Sequence, residues 1–217
     1  MAPEFKGATD MPIILLETLF RWLGGLYALL TLASALVGIW RGTRRLEGST
    51  SGRTTHVLRS HVFYWVTTIL FLGFCILLWL PLPVPVSPVV RAVALVLGLL
   101  LYFPGMSFVL WGRLSLGRMY FVSTSFRAQL FADHQLITTG PYAIVRHPMY
   151  TGLIVSALGG LLLYRTWTVV FLLVISFGVL ARAWREEQVL SRQFGENWRE
   201  YSRHVPAFFP RLRRKRE

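Results

Sequence analysis

The chain has 217 residues, of which 54% are hydrophobic and only 15% charged, where a soluble domain of this size carries nearer a quarter charged residues. Its 23 basic residues against 10 acidic ones give a formal charge of +13, and with a mean hydropathy of +0.51 this excludes an ordinary soluble enzyme. The arginines cluster beside apolar runs, which points to the anionic face of a membrane and away from nucleic acid.

The first apolar stretch runs from Met11 to Trp40. It contains an Ala33-Ser34-Ala35 pattern, but it is too long for a signal-peptide core. It is also interrupted by Arg21 and preceded by Glu4, Lys6 and Asp10 instead of a basic region, so a retained helix is expected over 12–40. A second span is expected over 61–80, ending at Pro81; with Pro83, Pro85 and Pro88 it leads into a tight, non-helical connection. Cys75 lies inside that span and, as the sole cysteine, forms no internal disulfide. The third span is expected over 89–111.

A fourth apolar region, 149–181, is broken by Tyr164-Arg165-Thr166. One long helix would bury Arg165 at mid-bilayer at considerable cost, so the region reads as a tight hairpin of two short spans, 149–163 and 167–181. Gly152, Ser156 and Gly160 fall four apart, a stripe that lets helices approach closely. The expected architecture is all-α: a polytopic membrane protein of about five transmembrane helices, forming a single membrane domain over 1–217.

Arginine placement sets the expected orientation. Segment 41–60 holds Arg41, Arg44, Arg45, Arg53 and Arg59; segment 112–148 holds Arg113, Arg118, Arg127 and Arg146; and 182–217 holds ten basic residues. The other two connections hold only Arg91 and Arg165. The positive-inside rule therefore places the N-terminus outside and the C-terminus in the cytoplasm, with Trp40, Trp79, Trp111 and Trp167 near span ends. Segments 112–148 and 182–217 share the cytoplasmic face, and function is expected there.

The first of these ends in Asp133-His134-Gln135-Leu136-Ile137-Thr138-Thr139-Gly140-Pro141-Tyr142 and then Arg146-His147-Pro148-Met149-Tyr150-Thr151-Gly152. Pro148 suits the first turn of a helix. That sets Arg146 and His147 at a helix N-terminus, where backbone donors can receive an anionic group. An interfacial loop with its Arg and His reaching toward headgroups fits the same residues. The second segment continues the last span into water as an amphipathic helix from Ala181 to Tyr201, with Gly195 as a cap or break. Arg182 and Glu186 are i,i+4 on it and can form a simple ion pair. No P-loop or glycine-rich dinucleotide fingerprint is present, and the five histidines lack partners at metal-ligand spacing, so no metal is expected.

Taken together, these stretches resemble the membrane methyltransferase superfamily that includes isoprenylcysteine carboxyl methyltransferases and phospholipid N-methyltransferases. The likeness follows an H-x-L-[IV]-x-x-G-x-Y-x-x-x-R-H-P-x-Y-x-G pattern through His134 to Gly152. It continues in an R-x-x-x-E-E-x-x-L-x-x-x-F-G-x-x-[YW]-x-x-Y pattern through Arg182 to Tyr201, with Trp198 where Tyr is common.

The resemblance implies a cytoplasmic pocket for S-adenosyl-L-methionine, with S-adenosyl-L-homocysteine as product. Positions matching the family's cofactor contacts are His134, Gln135, Leu136, Ile137, Tyr142, His147, Pro148, Met149, Tyr150 and Glu186, with Gln129 a weaker match. Arg182 matches the position that orients a substrate carboxylate. The implied partner is a lipid or lipid-modified small substrate reached from the membrane. A phospholipid amine or a small thiol is an alternative acceptor, and a non-enzymatic membrane scaffold is the remote one.

Overall fold

A computed structural model describes residues 10–45, 61–120 and 135–210 of the chain. Among the described residues the structure is all-α. It comprises α1 (Asp10–Arg45), α2 (His61–Leu77), α3 (Pro88–Leu116), α4 (Pro148–Tyr164), α5 (Trp167–Ser176) and α6 (Gly178–His204). Two 3₁₀ turns, Gly117–Met119 and Gly140–Ala143, frame the segment between α3 and α4. Three stretches are long and apolar enough to cross a bilayer, Pro12–Arg41, Pro88–Met119 and Trp167–His204, and Val62–Leu77 and Pro148–Tyr164 are shorter apolar helices.

The helix ends follow from local chemistry. Ser87 accepts a hydrogen bond from the Val90 amide and Pro88 opens α3, the expected N-terminal pairing of cap and proline. Pro148 likewise opens α4. That helix stops at Tyr164 because Arg165 takes a left-handed conformation, φ 51°, and the chain reverses into α5. The turn is held by the connection after α2: the Leu82 amide donates to Arg165 O, and the Trp167 and Thr168 amides donate to Leu80 O and Leu78 O. At Gly195, φ 51°, the backbone leaves the helical range and two helical segments of α6 meet at a kink, the break expected there, in a backbone state that glycine adopts without a Cβ penalty.

The tightest packing joins α3 to α4. On α3, Gly98, Gly105 and Gly112 recur every seven residues, the spacing that keeps one seam on a neighbouring helix. A Cβ on Gly98 would sit 3.2 Å from Gly159 O, one on Gly105 2.6 Å from Ser156 N, and one on Gly112 2.8 Å from the Met149 side chain. The small-residue stripe on α4 therefore serves α3. Gly152, Ser156 and Gly159 carry it, while Gly160 faces Val169 and the Tyr102 ring. Beside this seam Leu95, Tyr102, Met106, Leu163, Tyr164 and Val169 form the buried core. Tyrosine hydroxyls pin α1 to it: Tyr102 donates to Gly24 O at 2.8 Å and Tyr164 to Arg21 O at 2.9 Å.

The two ends of the bundle differ. At one end Glu17 of α1, 4% exposed, meets Arg21 at 2.6 Å, Arg91 at 3.6 Å and Arg165, so one buried carboxylate ties α1, α3 and the α4–α5 turn together. At the other end α1 reaches Arg113 of α3 through Gly38. Between the ends the outward faces are apolar: Trp22, Leu26, Ile69, Ile76, Val89 and Leu100 are all exposed. An apolar band of that extent is the surface of a multi-pass membrane protein, covered by lipid.

Candidate functional site

A cavity of about 230 Å³ lies at the Arg113 end, enclosed by the end of α3, the 135–150 segment, the start of α4 and the middle of α6. The antiparallel α3–α4 seam puts Pro148 and Met149 against Gly112. The α4–α5 reversal then sends the chain back through the bundle, so that α6 returns to the same end. Residues separated by a whole hairpin thus face one space.

Ten of the residues singled out in the sequence line it: Gln135, Leu136, Ile137, Tyr142, His147, Pro148, Met149, Tyr150, Arg182 and Glu186. His134, and the weaker candidate Gln129, lie outside the described residues. The remaining lining comes from Leu116, Met119, Tyr120, Arg146, Val189, Leu190, Trp198 and Tyr201, which the sequence reading did not assign to the site. Trp198 and Tyr201 were legible as part of the second motif, but nothing in the sequence said that the helix beyond Gly195 folds back over the cavity.

The polar groups are arranged as two carboxylate centres. Glu186 accepts from the Tyr150 hydroxyl at 2.7 Å and from Arg182 Nε at 3.2 Å, so the i,i+4 pair expected on α6 forms and also reaches α4. Glu187, one residue on and therefore about 100° around the helix, faces elsewhere. It accepts from Arg146 Nε at 2.9 Å and meets His147 Nε2 at 2.9 Å. The carboxylate beside the start of α4 is thus the protein's own Glu187, held by the Arg146 and His147 side chains, while the backbone amides of those two residues go to carbonyl oxygens. Burial alone would push that carboxyl up, but the hydrogen bonds from His147 and Arg146 outweigh it and hold Glu187 below the usual carboxylate range, as bonding to the charged form does.

A strap after α6 completes the wall. The amides of Arg146 and His147 donate to Pro206 O and Ala207 O at 2.8 and 3.0 Å. Arg146 Nη1 donates to Ser202 O and Val205 O, and the Phe208 ring stacks on His147 at 5.3 Å. His147 is thereby buried, 7% exposed, between Phe208 and the Tyr150 ring, 5.6 Å away. Tyr142 is fixed at both ends, its hydroxyl donating to Gly112 O at 3.3 Å and its carbonyl accepting from Tyr201 at 2.7 Å. Burial first, and then the Glu186 charge, push its phenol far up, so it stays neutral. The cavity is therefore a mostly apolar and aromatic slot with the Glu186–Arg182 pair, Arg146 and His147 as polar groups in its wall, the composition of a small-molecule site. Among the described residues no three His, Cys, Asp or Glu side chains gather as a metal-ligand set.

Comparison with known proteins bears on what such a slot holds. The family model for phospholipid methyltransferases matches residues 93–197, a range that contains most of the cavity wall. Over 80 residues the chain is 39% identical to a nickel-cobalt-cadmium resistance protein, NccN, of Alcaligenes xylosoxydans, covering 36% of this chain and 37% of that protein. It is also 39% identical over 80 residues to the protein-S-isoprenylcysteine O-methyltransferase of Schizosaccharomyces pombe, covering 36% of this chain and 34% of that one. A third relative, the protein-S-isoprenylcysteine O-methyltransferase B of Arabidopsis thaliana, is 33% identical over 79 residues, covering 36% of this chain and 40% of that one. The matched chain spans well under half the length of these relatives.

Proposed function

We propose that the protein is an integral membrane methyltransferase, a reading supported by the match of residues 93–197 to the phospholipid methyltransferase family model and by the likeness to isoprenylcysteine O-methyltransferases. In this reading it uses S-adenosyl-L-methionine to methylate a membrane-resident carboxylate. The observation that carries the reading is the meeting around one cavity of ten residues from the two motifs of the resemblance, on segments that the hairpin brings together.

The residues present fit that cofactor. Glu186 suits ribose hydroxyls or an ammonium, and Tyr142, Tyr150 and Trp198 offer flat walls for an adenine. Leu136, Ile137, Met149, Val189 and Leu190 exclude water. When bound, the cofactor supplies a methyl group already activated by its sulfonium, so the protein's task is positioning. Arg182 carries that task on the acceptor side, because a planar guanidinium holds a carboxylate in a bidentate fork. A carboxylate is ionised at pH 7 and needs no general base. Tyr150 and Glu186 fix the guanidinium from one side, and the neutral Tyr142 phenol keeps the wall uncharged.

The acceptor is read as a lipid-modified carboxylate reaching the cavity from the bilayer, with the cavity end in the cytoplasm as the arginine distribution requires. Methyl transfer by purified protein to a panel of acceptors tests this: a prenylated cysteine with a free carboxylate, a phospholipid amine and a small thiol. The carboxylate should be methylated best. Transfer confined to the amine or the thiol would overturn the acceptor assignment while leaving the enzyme class in place.

A further inference from the structure

A buried cation that lacks a counter-charge is costly, and buried donors in native proteins nearly always find an acceptor. Around the cavity this rule is met almost everywhere. Arg146 and His147 share Glu187, and Arg182 has Glu186. Arg113 is different. It lies one turn before the cavity-lining Leu116 on α3 and is only 6% exposed. It forms no salt bridge with a described carboxylate, and its buried Nε has no hydrogen-bond partner among the described residues.

What surrounds Arg113 holds it in place without neutralising it. Its Cζ stands 4.1 Å from the centroid of the Tyr120 ring, a cation–π contact with a residue that itself lines the cavity. Its guanidinium rests on α1 at Gly38, where a Cβ would overlap it, so a glycine leaves the seat open. Arg41 of α1 has the same sign and adds to the field. A second orphaned donor lies on the same side. The Tyr64 hydroxyl of α2 is buried without a partner among the described residues, within electrostatic reach of Arg182 and Tyr120. Tyr120 in turn feels Arg113, Arg182 and Glu186 together. The two unsatisfied buried donors, one of them a full charge, are thus linked to the cavity through Tyr120, which lines it: Arg113 lies over its ring and Tyr64 within its electrostatic reach.

Charge counting strengthens the point. Among the described residues Glu186 pairs with Arg182 and Glu187 with Arg146, whereas Arg113 pairs with no described carboxylate, and the proposed cofactor brings one further net positive charge through its sulfonium. A site of this kind favours an anion and disfavours a cationic amine.

We propose that Arg113, with Tyr64 and Tyr120 beside it, is an acceptor-binding residue that seats an oxyanion of the lipid acceptor, a carboxylate or a phosphate, and so selects anionic over neutral acceptors. This rests on the methyltransferase reading. Arg182 orients the group that is methylated, and Arg113 supplies affinity and selectivity from the α1–α3 side.

The test uses the full chain in detergent and reads acceptor and cofactor separately. The probes are a prenylated cysteine carboxylate, its carboxamide as the neutral counterpart, and phosphatidic acid in mixed micelles as competitor. Arg113→Gln should raise the carboxylate KM, and weaken its equilibrium binding, by roughly tenfold or more. It should also narrow the binding preference over the carboxamide, leaving the part that Arg182 supplies, with S-adenosylmethionine affinity and kcat on the carboxylate little changed. Arg113→Lys should restore part of the preference, and Gly38→Ala, which displaces the guanidinium but keeps its charge, should lose part of it. These two variants carry the test if Arg113→Gln does not fold. Competition by phosphatidic acid that disappears in Arg113→Gln assigns the oxyanion to a phosphate, and loss of carboxylate binding without such competition assigns it to the carboxylate. Unchanged carboxylate preference in cofactor-binding Arg113→Gln, or in both Arg113→Lys and Gly38→Ala, overturns the inference alone. Failure of the unaltered protein to bind S-adenosylmethionine overturns the methyltransferase reading instead.

Discussion

Adjacent carboxylates on a helix cannot share a task, because each step turns the side chain by about 100°. Glu186 faces Arg182 and Tyr150, while Glu187 faces Arg146 and His147. The first was legible as a site residue because it sits in the second motif of the resemblance, one turn after Arg182 on the same helix face. The second was not, since its partners lie 41 and 40 residues away in sequence. The depressed Glu187 carboxyl has a definite consequence. A carboxylate whose folded value lies below its unfolded one stabilises the protein above the unfolded pKa, about 4.3 for Glu. That stabilisation is lost as pH falls through the lower, folded value. Thermal unfolding in detergent should therefore show a loss of stability below about pH 4 that Glu187→Gln does not show. A parallel pH profile in the variant would remove the coupling. At Arg182 the two roles, ion pair with Glu186 and acceptor fork, separate in kinetics. Arg182→Lys keeps the charge but loses the planar fork, so kcat/KM should fall by roughly tenfold or more, about 1.4 kcal/mol. Turnover close to that of the unaltered protein would leave only the ion pair.

Elements were the most legible scale. Hydropathy and proline placement marked the helices, because a membrane-crossing helix needs a run of apolar residues that almost nothing else produces. The break at Arg165 was legible for the same reason, as a charge at mid-membrane is costly. What covers what was harder to read. The stripe on α4 was visible, but its partner was not, although Gly98, Gly105 and Gly112 at seven-residue spacing on α3 were the available signal. The register matters for the site, since it sets Met149 on Gly112 and, through it, the cavity floor. Gly105→Ala should cost about 1–3 kcal/mol through overpacking against the Ser156 backbone. Gly25→Ala, with nothing within 4 Å of the added Cβ, should be neutral or mildly stabilising. Equal melting temperatures for the two variants would contradict the assigned seam. The strap over residues 205–208 was not legible at all, because its carbonyl oxygens are the acceptors, from the Arg146 and His147 amides and the Arg146 and Thr151 side chains, and any sequence offers carbonyls.

At the scale of the whole molecule the bundle has a sealed end and a working end. Glu17 and three arginines close the first, and the cavity opens the second. Since α1 runs from the Glu17 end to the Arg113 end and α6 finishes beside the cavity, the proposed topology puts the start of α1 and the end of α6 on opposite faces of the membrane. Single cysteines introduced at positions 50 and 205 should label from the cytoplasmic side, and those at 85 and 165 from the outside. Labelling of 50 and 205 from opposite sides would break the scheme.

The central claim is that the cavity is a cofactor site, and calorimetric titration of S-adenosylmethionine into the purified protein tests it most directly. The unaltered protein should bind with one site per chain. Glu186→Ala should weaken binding by about 1.5–3 kcal/mol, the loss of a charge-assisted hydrogen bond, and His147→Ala should weaken it as well. No detectable binding by the unaltered protein, or full affinity in both folded variants, would contradict the account.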